Sequence, residues 1–219
     1  MFASIKRLLG SAPAGPDDGL VLANWAKAEG HTFKRVKGKS DAYVVESGDG
    51  WRVELGASKR PYIIGKELRF RCDTGVSGDV QMILLTKVLA QTLESDVFSR
   101  FTNAMQTQID NTLPDEMRWL AMHQRVSLGN TTVLAKRFAL LSNADAVAQK
   151  WLNTSMVLSL DEAASTWWTD GLMLVLTLNR GIVTMRMAGQ SIQPIQLKLV
   201  GDLFNQITYR LREVARDKS

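Results

Sequence analysis

The sequence predicts an α+β protein: antiparallel β-hairpins form a sheet packed against two long helices, in a weak pseudo-repeat of a hairpin-plus-helix unit. Three observations carry this. From Thr32 to Thr74 apolar and polar residues alternate with period two. Residues 79–109 and 194–216 instead repeat apolar side chains at steps of three and four. Between those helical stretches, Asn179-Arg180-Gly181 separates two short apolar runs, a hairpin signal.

Residues 1–16 read as an amphipathic segment followed by a linker. Phe2, Ile5 and Leu8 share helical spacing beside Lys6 and Arg7, and Pro13, Gly15 and Pro16 then break the pattern. The folded part is expected from Asp17. Asp17 and Asp18 stand where negative charge favours a helix N-terminus, and Gly30 stops that helix. In the period-two region, Tyr43 and Val45 alternate on one side of Ser47-Gly48-Asp49-Gly50, and Trp51, Val53 and Leu55 on the other, so a hairpin is expected. Leu68, Phe70 and Cys72 alternate with Arg69 and Arg71 in a third strand, preceded by a loop with Pro61 and Gly65.

Asp79 to Ile109 then reads as one long helix, uninterrupted by Gly or Pro. Pro114 with Asp115 and Glu116 opens a short helix ending near His123. A strand ending at Phe138–Leu141 precedes a helix from about Ala144 to Leu152, capped by Ser142 or Asn143. Ser159-Leu-Asp-Glu162 fits a capping box for a helix to Trp168. Runs 172–178 and 182–187 form the second hairpin, and a last helix spans Pro194 to Arg216. Segments 17–110 and 111–219 fit either two subdomains or one continuous domain.

The composition is that of a chain with a packed core: 45% hydrophobic and 22% charged residues. Cys72 is the single cysteine, which points to a reducing compartment. Lys6 and Arg7 interrupt the apolar region a signal peptide needs, and no run is long enough for a bilayer. A cytoplasmic protein, at most peripheral to a membrane, is expected.

Catalytic signatures are missing from the sequence. His31 and His123 have no second ligand at metal-binding spacing. Cys72 shares a strand face with Leu68 and Phe70, where a thiol is buried and inert. Gly65-Lys66 lacks the rest of a phosphate loop, and neither a dinucleotide-binding glycine pattern nor a nucleophile elbow is present. No catalytic residue, cofactor or metal is therefore assigned.

Two features stand out. The net charge is +5, and residues 34–71 alone hold ten basic against five acidic residues, the same excess. Lys34, Arg35, Lys37, Arg52, Arg69 and Arg71 are the candidates for a basic surface, with Arg52, Arg69 and Arg71 expected to point away from the apolar strand face. The plainer reading of such cations is a solvated strand kept soluble by charge. Second, Trp167 and Trp168 are adjacent, and helical neighbours point about 100° apart, so burying both is awkward: either one is exposed as a contact or, the plainer reading, both tuck under the following hairpin. With Phe2, Ile5 and Leu8 they are the candidate protein contacts. The expected function is a non-enzymatic interaction protein, an adaptor or chaperone-like module for a protein partner or for itself. The alternatives are a binder of an anionic surface, lipid or nucleic acid, through 34–71, and an enzyme whose site is assembled from scattered residues.

Overall fold

A computed structural model describes residues 17–37, 42–103, 114–129 and 132–217, the side chains of 97–103 excepted. Phe2, Ile5 and Leu8 lie outside the described residues. The element order is α1 (Asp18–Ala28), β1 (Thr32–Arg35), β2 (Tyr43–Glu46), β3 (Trp51–Ala57), β4 (Lys66–Asp73), β5 (Met82–Thr86), α2 (Lys87–Asn103) and α3 (Asp115–Met122). There follow β6 (Gln124–Val126), α4 (Val133–Arg137), β7 (Phe138–Ser142), α5 (Asp145–Trp151), α6 (Thr154–Thr166), β8 (Leu174–Asn179), β9 (Ile182–Ala188) and α7 (Pro194–Arg216). The class is α+β, as the alternating and helical patterns predict.

Among the described residues, nine strands form one antiparallel sheet in the order β1-β2-β3-β4-β9-β8-β5-β7-β6. The β8–β9 hairpin inserts between β4 and β5, so segments 17–110 and 111–219 interleave in the sheet. Its two-residue turn, Arg180-Gly181, has positive φ at both positions (52° and 74°). That geometry matches strand twist and favours glycine. A Cβ at Gly181 would also stand 2.8 Å from the carbonyl oxygen of Val76.

On one sheet face the apolar positions of β2, β3, β4, β9, β8, β5 and β7 share a single core with α1, α4, α5, α6 and α7. Trp25, Trp51, Phe70 and Phe204 form its aromatic centre, with Phe70 and Phe204 centroids 5.7 Å apart. Each fully buried large apolar side chain of this kind contributes about 1.5–3 kcal/mol. α7 places Leu197, Val200, Phe204, Ile207, Leu211 and Val214 inward at the spacing its sequence shows. Gly19 of α1 lies under the Tyr43 ring, where a Cβ would come within 2.5 Å of it.

Among the described residues, the opposite face is covered only at one end. Ile83, Leu85, Ala139, Leu141 and Val175 pack there against Ala90 and Leu93 of α2 and Met117, Trp119 and Leu120 of α3.

Two expected elements differ. The stretch 79–109 is not one helix, because Met82–Thr86 is strand β5. Its Met82 and Leu84 enter one core while Ile83 and Leu85 enter the other, which only a strand buried on both faces achieves. Helix α6 starts before the expected capping box. Asn153 is its N-cap, accepting from the Met156 backbone N–H at 2.9 Å, and Ser159 lies inside the helix.

Candidate functional site

The uncovered half of the sheet carries charge in register. Backbone pairing aligns Thr32, Glu46, Arg52, Arg71, Thr184 and Thr177 in one row across six strands. The adjacent row on the same face reads Lys34, Val44, Glu54, Arg69, Arg186 and Val175. Arg52 thus stands directly opposite Arg71, and Arg69 directly opposite Arg186. Like charges in that relation destabilise a sheet.

Two glutamates hold the four guanidiniums. Glu67, 1% exposed, takes Arg186 Nη1 at 2.7 Å and Arg69 Nε at 3.3 Å on the same oxygen, and its other oxygen accepts from Ser58 Oγ at 2.9 Å. Glu54 serves three arginines. Its Oε1 is 2.8 Å from Arg52 Nε and 3.7 Å from Arg71 Nη1, and its Oε2 is 3.2 Å from Arg69 Nη2. The Arg52–Arg71 pair therefore shares a single oxygen, and Arg71 has the longest contact. Burial lowers the pKa of Arg71, Glu54 raises it, and Arg52, Arg186 and Arg69 lower it further.

An open cleft of about 490 Å³ adjoins this pair, lined by Glu46, Ser47, Arg52, Arg71, Asp73 and Ile182 among others. Its acids have partners of their own. Glu46 pairs with Lys34 at 2.5 Å, and Asp73 accepts from the Gly75 backbone N–H at 3.0 Å. Cys72 reaches the cleft floor but is 3% exposed. Burial pushes its thiol up, against the pull of Arg212, whose Nη2 lies 3.0 Å from Sγ.

At the covered edge of the face, the loop between β3 and β4 meets α3. Glu116, almost fully buried, pairs with Arg60 and accepts from the Tyr62 hydroxyl at 2.6 Å. The two most buried carboxylates near the sheet face, Glu67 and Glu116, are both engaged by arginine. Another cleft, about 420 Å³, runs between α6 and α7 past Asn153, Ser159, Asn205 and Tyr209. Its cations are committed: Arg210 bonds Glu213 at 3.0 Å, and Arg212 donates to the Asp49 carbonyl at 2.9 Å.

The sequence-predicted cations divide. Arg52, Arg69 and Arg71 share one face as expected, but Arg69 and Arg71 are half-buried, with side chains 26% and 31% exposed, and paired with acids. Alternation fixes which way they point, not that Glu54 and Glu67 stand beside them. Lys34 belongs to the same face, paired with Glu46. Arg35 pairs across from Tyr43 and so points to the opposite side, while Lys37 lies beyond the end of β1. Arg186 was not among the expected residues. Its alternation with Val183, Met185 and Met187 gives its face, but nothing local shows that β9 lies beside β4.

Of the two readings of the tryptophan pair, the structure shows the tucked one for Trp168 and no fully exposed ring. Trp168 is fully buried, edge-on to Phe138 at 4.9 Å, and Trp167 is half-buried and stacked on it at 16° between planes. α6 ends at Thr166, so the pair is not helical, and both rings lie on one side. Arg137 fixes this turn by donating to the carbonyl oxygens of Ala164 and Trp168 and to Asp170.

No metal-holding group of three His, Cys, Asp or Glu exists among the described residues. Neither is any helix among them long and apolar enough to cross a membrane. His123 stacks on Trp119 and meets Gln81 Oε1 through Nε2 at 2.9 Å, and burial lowers its pKa.

No protein-family model and no curated protein matches the chain. Among solved structures, it is similar to the crystal structure of the mycobacterial trehalose monomycolate transport factor A, TtfA. The identity is 13% and the TM-score 0.50, with 90% of this chain and 96% of that one covered. At that identity the likeness is one of fold.

Proposed function

We propose that the protein is a non-enzymatic interaction module whose docking face is the uncovered, arginine-rich half of its sheet. The observation that carries this is the unequal covering of that face by the described residues. α2 and α3 seal the end formed by β8, β5 and β7, while Arg52, Arg69 and Arg71 on β3 and β4 meet solvent beside a cleft. Two Arg–Arg pairs placed directly opposite one another oppose stability. A partner that brings negative charge offsets that cost. The similar structure is named a transport factor, and a transport-associated, non-enzymatic role agrees with this reading.

Affinity purification of the full chain from its host tests it. Arg52→Glu with Arg71→Glu should abolish recovery of the partner seen with wild type. Leu158→Asp, at an exposed position of α6, should not. Retention of the same partner after charge reversal would overturn the docking face.

A second reading is supported by the charge itself, five cations (Lys34, Arg52, Arg69, Arg71 and Arg186) against three glutamates (Glu46, Glu54 and Glu67) on this face. An anionic surface such as phospholipid or nucleic acid would meet the same cations. It predicts co-sedimentation with phosphatidylglycerol vesicles, or oligonucleotide binding, that weakens steeply with salt.

A further inference from the structure

We infer that the Arg52–Arg71 pair is a seat for a carboxylate carried by an acidic segment of a protein partner. The inference rests on the docking reading above and names the chemistry of its occupant. Three observations lead to it. The two guanidiniums are directly opposite in register and share only Glu54 Oε1, at 2.8 and 3.7 Å. The other opposed pair, Arg69 and Arg186, is already served by buried Glu67 at 3.3 and 2.7 Å. A cleft of about 490 Å³ opens beside the underserved pair, and the acids lining it are bound to Lys34 and to a backbone N–H.

A carboxylate entering from the cleft would place an oxygen on each guanidinium. Planar guanidinium forks match carboxylates through paired hydrogen bonds, and arginine gives up its hydration more readily than lysine. The face also argues for the source. Glu46 and Glu54 stand beside the seat, so a uniformly negative membrane or phosphodiester backbone gains less there than a segment whose charges are matched residue by residue. An acidic peptide can put one side chain between the arginines and a neutral or basic one over Glu54. An extended segment presents alternate side chains at the two-residue spacing that the strands themselves have.

Glu54 is then the internal competitor of the incoming carboxylate, and this gives the test its sign. A short fluorescent oligoglutamate peptide is titrated into the full-length protein, with oligoglutamine as control. Arg71→Gln removes a repelled cation, so the variant should fold as well as wild type while binding roughly tenfold more weakly, the loss of one charge-assisted contact. Glu54→Gln should bind several-fold more tightly, and the peptide should raise its melting temperature more than that of wild type. Unchanged affinity in Arg71→Gln, or weaker binding by folded Glu54→Gln, would overturn the seat. So would tighter binding of phosphatidylglycerol vesicles or an oligonucleotide with the same dependence on Arg71. If the peptide behaves as expected while the doubly reversed variant keeps its co-purifying partner, the seat stands and the docking reading falls. The converse pattern sinks the seat alone.

Discussion

The hydroxyl of Tyr62 donates to Glu116 Oε1 at 2.6 Å and so joins the loop between β3 and β4 to helix α3, 54 residues further along the chain. Arg60 pairs with the same carboxylate. Together they fasten the α2–α3 cover at the border of the open face.

Removing the carboxylate should cost more than removing the phenol. Tyr62→Phe leaves Glu116 with Arg60 and should destabilise by about 1 kcal/mol, the net worth of one hydrogen bond. Glu116→Ala leaves a mostly buried guanidinium and the Tyr62 hydroxyl without their partner, at about 3 kcal/mol. Urea unfolding of the two variants gives the order. A Tyr62→Phe loss larger than that of Glu116→Ala would mean the latch does not depend on its charge.

The same pair sets an alkaline limit. Burial first, then the Glu116 charge and the hydrogen bond to it, push the Tyr62 phenol well above its ordinary range. In the unfolded chain tyrosine loses its proton near pH 10. The folded state keeps the proton longer, so its contribution is complete below that value and is lost as pH rises above it. Wild type should therefore lose stability between about pH 10 and 11 more steeply than Tyr62→Phe. Parallel slopes in stability-versus-pH curves would contradict this.

The contact of α1 with β2 should not tolerate a methyl group. A Cβ at Gly19 would fall within 2.5 Å of the Tyr43 ring, which stacks on Phe33 at 5.4 Å. Gly19→Ala should cost about 1–3 kcal/mol, the range for overpacking. In a Tyr43→Ser background the same change should cost little. A double-mutant cycle by chemical denaturation measures the difference, and additive losses would place the strain elsewhere.

Trp167 and Trp168 should behave unequally. Trp168→Ala empties a fully buried site against Phe138 and should destabilise by about 3–5 kcal/mol. Trp167→Ala removes a half-buried ring and should cost about 1 kcal/mol. Thermal unfolding separates them. Equal losses would show that the outer ring bears as much of the packing as the inner one.

What local pattern could and could not convey is visible in particular elements. α7 was legible throughout, because Leu197 to Val214 repeat at helical spacing on one buried face. The faces of Arg52, Arg69 and Arg71 followed from strand alternation. Met82–Thr86 reads as helix in the sequence because a strand buried on both sides has no polar face to alternate with. Its apolar run continues into a true helix without a break. Arg186 was out of reach for a different reason. Its partner Glu67 is 119 residues away, and strand order is decided by how sheet faces are covered rather than by any short motif. The carboxylates that pair with the half-buried arginines stand on the adjacent strand, Glu54, and on their own strand, Glu67, and alternation alone does not bring them together.

The place of the β8–β9 hairpin in the sheet has a consequence for how the protein is made. β4 and β5 follow one another in the chain, yet β9 and β8 lie between them in the sheet. While the ribosome has not passed Ala188, the nascent polypeptide holds two partial sheets, β1 to β4 and β5 with β7 and β6. Each ends in a strand with one unpaired edge and a run of apolar residues, Leu68 and Phe70 on one and Ile83 to Leu85 on the other. Unpaired strand edges of that kind invite association between chains. Closure awaits contacts distant in sequence, which also slows folding. A product cut short before Leu174 should accumulate in the insoluble fraction, because the last hairpin translated is the one that closes the gap.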